Sequence, residues 1–135
     1  MRVLVCGSRD FSDRKLMEDR LGQLGIQSTR ISADRILIIH GGARGADRMA
    51  GELAGRMGFG CRVLMAQWTV HDGVCACSRA APTCKRAGYR RNVKMLNDGQ
   101  PDLVLAFYAG KESPGTRMMV KLAKDAGVPV EIFGL

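Results

Sequence analysis

Apolar residues occur in this chain in two textures that alternate along it. Short unbroken runs at Arg2 to Cys6, Ile36 to Ile39, Cys61 to Ala66, Asp102 to Phe107 and Val128 to Phe133 suit strands buried on both faces, as in a parallel sheet covered by helices. Between the runs, apolar positions recur at helical spacing: Leu16, Met17, Leu21 and Leu24; Met49, Ala50, Leu53, Ala54 and Met57; Val93 and Leu96 within Tyr89 to Asn97; and Met119, Val120, Leu122, Ala123 and Ala126. Ser12 is placed to cap the first of these helices and Gly25 to end it, while Gly58 closes the second and Gly127 the last. Gln27 to Arg35 is polar and reads as a loop; His71 to Lys85 shows neither period and reads as another. Strands alternating with helices over short links predict one α/β domain over residues 1–135, a doubly wound, mainly parallel five-stranded sheet with helices on both faces.

The junctions where strands run into helices carry the candidate chemistry. In such a sheet ligands sit beyond the carboxyl ends of the strands, so turns on that edge converge on one crevice. The most pronounced junction is Ile36 to Asp47, ILIIHGGARGAD. Gly41, Gly42 and Gly45 remove side chains where backbone amides would approach a ligand; Ala43 and Arg44 lie between them, and Ala46 and Asp47 open the helix. The unpaired N–H groups of a helix start, with their partial positive charge, suit a phosphate. Gly7, Ser8, Arg9 and Asp10 follow the first strand in the same way, and Gly115 and Thr116 follow the fourth. The spacing matches neither the Walker pattern nor G-x-G-x-x-G. A tight connection that merely needs glycine would look the same at any one junction; three junctions on one edge point to a ligand. Arg9, Arg44 and Arg91 lie in or beside these loops, where a guanidinium can hold phosphate bidentately. Asn92 either reads a base or ribose hydroxyl or caps its own backbone. Trp68 either stacks on a base or packs in the core, with the core preferred, and Phe107 and Tyr108 are open in the same way.

Charge sharpens this picture. Lysine and arginine total 21 against 13 acidic residues, a formal charge of +8 that favours polyanionic ligands such as nucleotides or nucleic acid. A chain of 135 residues, 46% hydrophobic, suffices for one core and no second domain. The N-terminal run Val3 to Cys6 is far shorter than a signal or membrane segment, which predicts the cytoplasm and no membrane partner. Five cysteines are an odd number, so free or metal-bound thiols are expected rather than a disulfide framework.

Taken in order, GSRDF after the first strand, HGGARGAD after the second, then AGYRRN, DLVLAF and PGT resemble the YspA-like branch of the SLOG superfamily, over nearly the whole chain. The resemblance implies a Rossmann-like domain with a pocket for a nucleotide or nucleotide-derived ligand of AMP or ADP-ribose type, and a homo-oligomer, a dimer. Relatives include the cytokinin-activating phosphoribohydrolases, the DNA-processing protein of transformation and sensor domains of bacterial conflict systems. Fold and ligand class carry over more safely than activity. By position, Gly41, Gly42, Gly45 and Asp47 match the family's glycine-rich turn, and Gly115 and Thr116 match the Gly-Thr of the hydrolases' P-G-G-x-G-T-x-x-E motif. Arg91 matches their catalytic arginine, and Asp47 and Asp10 are candidate acids. The motif's glutamate is replaced by Met119, and a thioether can neither stabilise an oxocarbenium-like centre nor activate water.

Relative to YspA-like chains, residues 69–86 look like an insertion. His71, Cys75, Cys77 and Cys84 offer zinc-type ligands there as H-x3-C-x-C-x6-C, a tighter pair than the usual C-x2-C. A structural zinc would hold a polar loop that has no core of its own; free thiols on an open loop are the alternative. Cys6 and Cys61 read as buried strand residues. Three functions compete: a nucleotide-ligand sensor or sequestering protein, a phosphoribohydrolase cleaving the N-glycosidic bond of a nucleoside monophosphate, and a nucleic-acid binder, against which stands the scarcity of stacking aromatics.

Overall fold

The structure, a computed structural model, describes residues 1–27, 35–78 and 80–135. Along these the elements run β1 (Arg2–Gly7), α1 (Arg14–Gln27), β2 (Leu37–His40), α2 (Ala46–Met57), β3 (Gly60–Val63), α3 (Ala87–Gly99), β4 (Leu103–Phe107), α4 (Pro114–Asp125) and β5 (Val130–Phe133). Every strand pair is parallel and the order across the sheet is β3-β2-β1-β4-β5, the doubly wound, Rossmann-like arrangement that the alternation of runs and stripes predicts.

The alternation inside β1 divides the core. Val3 and Val5 turn to the face covered by α1 and α2, joining Met17, Leu21, Ile38, Leu53 and Phe107. Leu4 and Cys6 turn to the face covered by α3 and α4, joining Ile39, Met95, Val104 and Met119. Each fully buried aliphatic side chain stabilises the fold by about 1.5–3 kcal/mol, so the central strands, covered on both sides, anchor both helical layers. From β1 the chain steps to β2 and β3 on one side and later returns to β4 on the other. The order reverses between β1 and β4, and the turns that leave β1, β2 and β4 open at that reversal.

Several local expectations differ from the structure. Asp13, not Ser12, caps α1, its Oδ1 accepting the Leu16 N–H at 3.2 Å. Gly25 does not stop α1; it lies inside the helix beside the Phe59 ring, and the helix continues to Gln27. Residues 28–34 of the polar loop reading lie outside the described residues. β3 ends at Val63 rather than Ala66, because an edge strand pairs only as far as the four residues of β2 allow, and on that edge Cys61 is exposed, not buried. In α3 the inner positions are Asn92 and Met95, with Val93 and Leu96 half-buried at the flank.

Candidate functional site

The β2–α2 turn is organised by one carboxylate. Asp47, only 6% exposed, accepts the Gly41 N–H through Oδ2 at 2.9 Å and the Ala43 N–H at 3.4 Å. Burial raises its pKa above the ordinary carboxylate value, against the pull of Arg91 and of the two amides. The Gly42 N–H goes to His40 Nδ1 at 3.0 Å and the Ala46 N–H to the Ser8 carbonyl at 3.3 Å. Most amides expected to meet an anion are thus engaged in holding the turn itself, because a buried Asp at the helix start competes for them. Of the glycines here, Gly45 is sterically required, whereas Gly41 leaves room for a side-chain end. A Cβ at Gly41 would overlap the Arg91 guanidinium; one at Gly45, whose φ is +81°, would overlap the Ser8 carbonyl.

His40, 5% exposed, is held neutral beneath this turn: burial lowers its pKa below the ordinary 6.5, and Arg91 adds to the effect. A depressed histidine gives stability that is complete above the unfolded-state value and lost as pH falls from there through the folded one. Urea midpoints should therefore drop between pH 7.5 and 5.5, and His40→Asn, whose Oδ1 can accept the Gly42 N–H in place of Nδ1, should flatten that slope; an unchanged slope would assign the loss to other groups.

The turns after β1, β2 and β4 meet. Ser8, Arg9 and Asp10 from the first, Ala43, Arg44 and Asp47 from the second and Gly115 and Thr116 from the third line one cavity of about 420 Å³, joined by Gly7, Arg91 and Asn92. Gly41 and Gly42 face a second hollow of about 290 Å³ on the other side of the glycine-rich turn, shared with Arg9, Ala43, Arg44, Arg48, Trp68 and Arg91. Gly45 and Ala46 line neither: half-buried Gly45 is pressed against the Ser8 and Arg9 carbonyls and Ala46 is fully buried, so both shape the turn rather than the cavity wall.

Arg91 is positioned from two sides. Its Nη1 donates to the Gly41 carbonyl at 2.7 Å and its Nε to Asn92 Oδ1 at 3.1 Å. Burial lowers its pKa while Asp47 works in the other direction. Asn92, 5% exposed, neither caps its own backbone nor stands free: its Nδ2 donates to the Gly115 carbonyl at 3.4 Å and to Met118 Sδ at 3.6 Å, tying α3 to the start of α4. Ser113 Oγ donates to Thr116 Oγ1 at 2.8 Å, or the reverse, and Pro114 occupies the first helical turn, leaving the Gly115 and Thr116 amides without intrahelical partners beside the cavity.

The wall also holds charges that the sequence motifs did not indicate. Lys111 and Glu112, in the loop after β4, bring the lining to four cations, with Arg9, Arg44 and Arg91, against three acids, with Asp10 and Asp47. Two of those acids face arginines, Asp10 at 3.8 Å from Arg44 and Glu112 at 3.5 Å from Arg117, which tempers the positive field expected from the net charge. Met119 is 1% exposed and brings no ionisable group. Trp68 is 43% exposed and borders both hollows, so it is not a core residue; its indole lies 3.7 Å from where a Cβ on Gly88 would sit. Phe107, stacked on Phe133 with centroids 4.9 Å apart, and Tyr108 are buried core residues.

Next to Trp68, the donor atoms of His71, Cys75, Cys77 and Cys84 all lie within 4.8 Å of one another, a set that could hold a metal ion. Burial would raise the Cys84 thiol, but hydrogen bonds from Arg90 and from backbone amides outweigh it and bring it down to about 6.

A parallel sheet with glycine-rich turns over a cavity at its reversal point defines a Rossmann-like domain. The chain belongs to the YspA, cpYpsA-related SLOG family, YAcAr, whose model matches residues 1–71. That match ends at His71, the first donor of the cysteine-rich loop. The chain is similar to Gene 61 protein of Mycobacterium phage D29, 36% identical over 138 aligned residues that cover 98% of this chain and 96% of that protein. Its fold is similar to that of DNA processing protein A (DprA) from Streptococcus pneumoniae, with a TM-score of 0.70 and 19% identity over 97% of this chain and 49% of that one. The chain thus spans about half the length of that protein, and at this identity the likeness is one of fold. No helix among the described residues is long and apolar enough to cross a membrane.

Proposed function

We propose that this protein binds a phosphate-bearing nucleotide derivative of AMP or ADP-ribose type in the cavity of about 420 Å³, as a sensor or sequestering protein. The observation that carries this reading is the meeting of the three turns at the reversal point of the sheet with the Arg91 guanidinium set directly over Gly41. The volume is that of a small-molecule site. Arg9 and Arg44 supply bidentate donors at the mouth, the Gly115 and Thr116 amides supply more at the far wall, and Trp68 offers a face on which a base can stack. Membership of the SLOG family supports a nucleotide-related or DNA-processing function. We infer as well that the ion suited to His71, Cys75, Cys77 and Cys84 is zinc, in a structural role, since three sulfurs and one imidazole are its characteristic donors.

Hydrolysis of the ligand is disfavoured. Met119 stands where a catalytic carboxylate would be needed, and Asp47 is engaged with two backbone amides, leaving Asp10 and Glu112, each facing an arginine. A second reading, single-stranded nucleic-acid binding, is favoured by Arg48 extending the arginine cluster into the hollow beside Trp68, and the structural neighbour is by its name a DNA processing protein. One exposed tryptophan is a small stacking platform for that role.

Native mass spectrometry with AMP, ADP-ribose, cyclic ADP-ribose and NAD tests the proposal. One ligand per chain, with no free base released from AMP, is the expected result. Base release would reassign the protein to the hydrolases. An unliganded spectrum throughout, alongside oligonucleotide binding that weakens steeply with salt, would establish the second reading instead.

A further inference from the structure

Among the described residues of 69–86 there is neither helix nor strand, and Cys84 alone is buried. Such a loop has little apolar packing to hold it, yet it follows directly on Trp68, a residue in the wall of both hollows. We propose that zinc at His71, Cys75, Cys77 and Cys84 is the tie that fixes Trp68 in the wall of both hollows, so that metal loading and ligand binding are linked; the second half of this rests on the reading of the cavity given above.

The surroundings of the four donors are those of a built metal site. His71 Nε2 lies 2.9 Å from the Ala81 carbonyl, to which it donates, and this leaves the lone pair on Nδ1, the nitrogen 3.5 Å from Cys75 Sγ. A ligating histidine that hands its other N–H to a carbonyl is the usual outer-shell arrangement around zinc. The sulfurs receive donors of their own, the Lys85 N–H on Cys77 at 3.2 Å and Arg90 Nη1 on Cys84 at 3.3 Å, the outer-shell contacts that orient sulfur ligands around an ion. Zn–S bonds of about 2.3 Å in a tetrahedron place donors roughly 3.8 Å apart, so a cluster already within 4.8 Å needs only a small contraction to close on the ion. Three thiolates and one dication leave a single negative charge, with Arg90 against it.

The same residues carry the connection to the cavity. The Cys84 N–H donates to the Trp68 carbonyl at 2.6 Å, so a metal ligand holds the tryptophan's backbone directly. Arg90 also binds Asp72 Oδ2 at 3.0 Å and the Val70 carbonyl, and Arg86 binds the same Asp72 oxygen at 2.8 Å. The segment between Trp68 and the cluster is thereby fastened to the first turns of α3, the helix whose next residue is Arg91. Without the ion, the loop has no core of its own to hold Cys84 in place, and Trp68 is released with it.

Trp68 is the single tryptophan of the chain, so its emission reads this link with no ligand present. Tag-free protein should carry one zinc per chain. Chelation under reducing conditions should red-shift the emission and open it to iodide quenching while far-ultraviolet dichroism keeps its helices and strands; added Zn²⁺, but not Mg²⁺, should restore it. Cys77→Ser should reproduce the chelated spectrum, and the wild-type chelation and restoration cycle decides the matter should that variant not fold. Affinity for AMP or ADP-ribose should fall about tenfold or more on chelation. Failure to retain or rebind zinc overturns the site, and zinc binding with an unmoved tryptophan spectrum overturns the tie. Equal ligand affinity with and without zinc overturns the linkage. No ligand binding by the zinc-loaded protein overturns the reading of the cavity and the linkage together, with the tie still decided by the tryptophan.

Discussion

Gly45→Ala should lower the melting temperature by about 12–20 °C in a chain of this length, or prevent folding, whereas Gly55→Ala in the same helix should raise it by a few degrees. Gly45 precedes α2 with φ +81° and ψ −126°, a conformation essentially restricted to glycine, at a cost of about 1–3 kcal/mol for any other residue. Its added Cβ would also overlap the backbone carbonyls of Ser8 and lie 2.5 Å from that of Arg9. Those oxygens belong to the turn after β1, itself bonded to β4 through the Ser8 N–H and the Phe107 carbonyl at 2.9 Å, so they cannot withdraw without disturbing the central sheet. Strain and overlap together come to about 4 kcal/mol. At Gly55 a Cβ meets nothing within 4 Å, and an exposed helical glycine changed to alanine typically gains about 0.5–1 kcal/mol. Thermal dichroism of the two variants separates the effects: a Gly45→Ala protein that melts beside the wild type would mean that the turn has a second, equally good backbone path.

Why Gly45 is indispensable was not legible in the sequence, although that glycine mattered was. A G-G-x-x-G turn announces close approach without saying to what, and here the answer is another turn of the same protein. The sheet was legible because burial on both faces leaves an unbroken apolar run, as in Leu103 to Phe107, which no helix face or loop reproduces. The meeting of three turns followed from the edge rule for parallel sheets. Three features left no such trace. Trp68 sits in an irregular segment, where no period distinguishes an inward from an outward side chain. Cys61 is exposed because β3 is an edge strand, and strand order is a property of the whole chain rather than of four residues. The engagement of the Gly41 and Ala43 amides by Asp47 depends on the direction of one side chain. Lys111 and Glu112 carried a positional signal only, as charges just beyond the carboxyl end of a central strand.

That engagement by Asp47 separates the roles of two arginines. Arg9 makes no ion pair or side-chain hydrogen bond among the described residues, so Arg9→Ala should weaken nucleotide binding by roughly 10–100-fold, the value of a charge-assisted contact, with an unchanged melting temperature. Arg91→Ala should weaken binding at least as much and also cost about 1–3 kcal/mol of stability, because it removes the hydrogen bond to the Gly41 carbonyl and the nearby cation that offsets a carboxylate already buried. The two losses differ in their response to pH. Asp47 has a folded-state pKa raised above the ordinary 3.8, and without Arg91 it rises further. A group raised in this way binds its proton more tightly folded than unfolded, so the Arg91→Ala penalty should shrink as pH falls from 7.5 toward 5, while any Arg9→Ala effect on stability stays near zero at both. Combining Arg91→Ala with Asp47→Asn should cost less than the sum of the single changes, since the double variant buries no uncompensated charge. Urea titrations of the four proteins at the two pH values measure the coupling directly, and strict additivity at both would show that Arg91 stabilises the fold by a route other than the charge of Asp47.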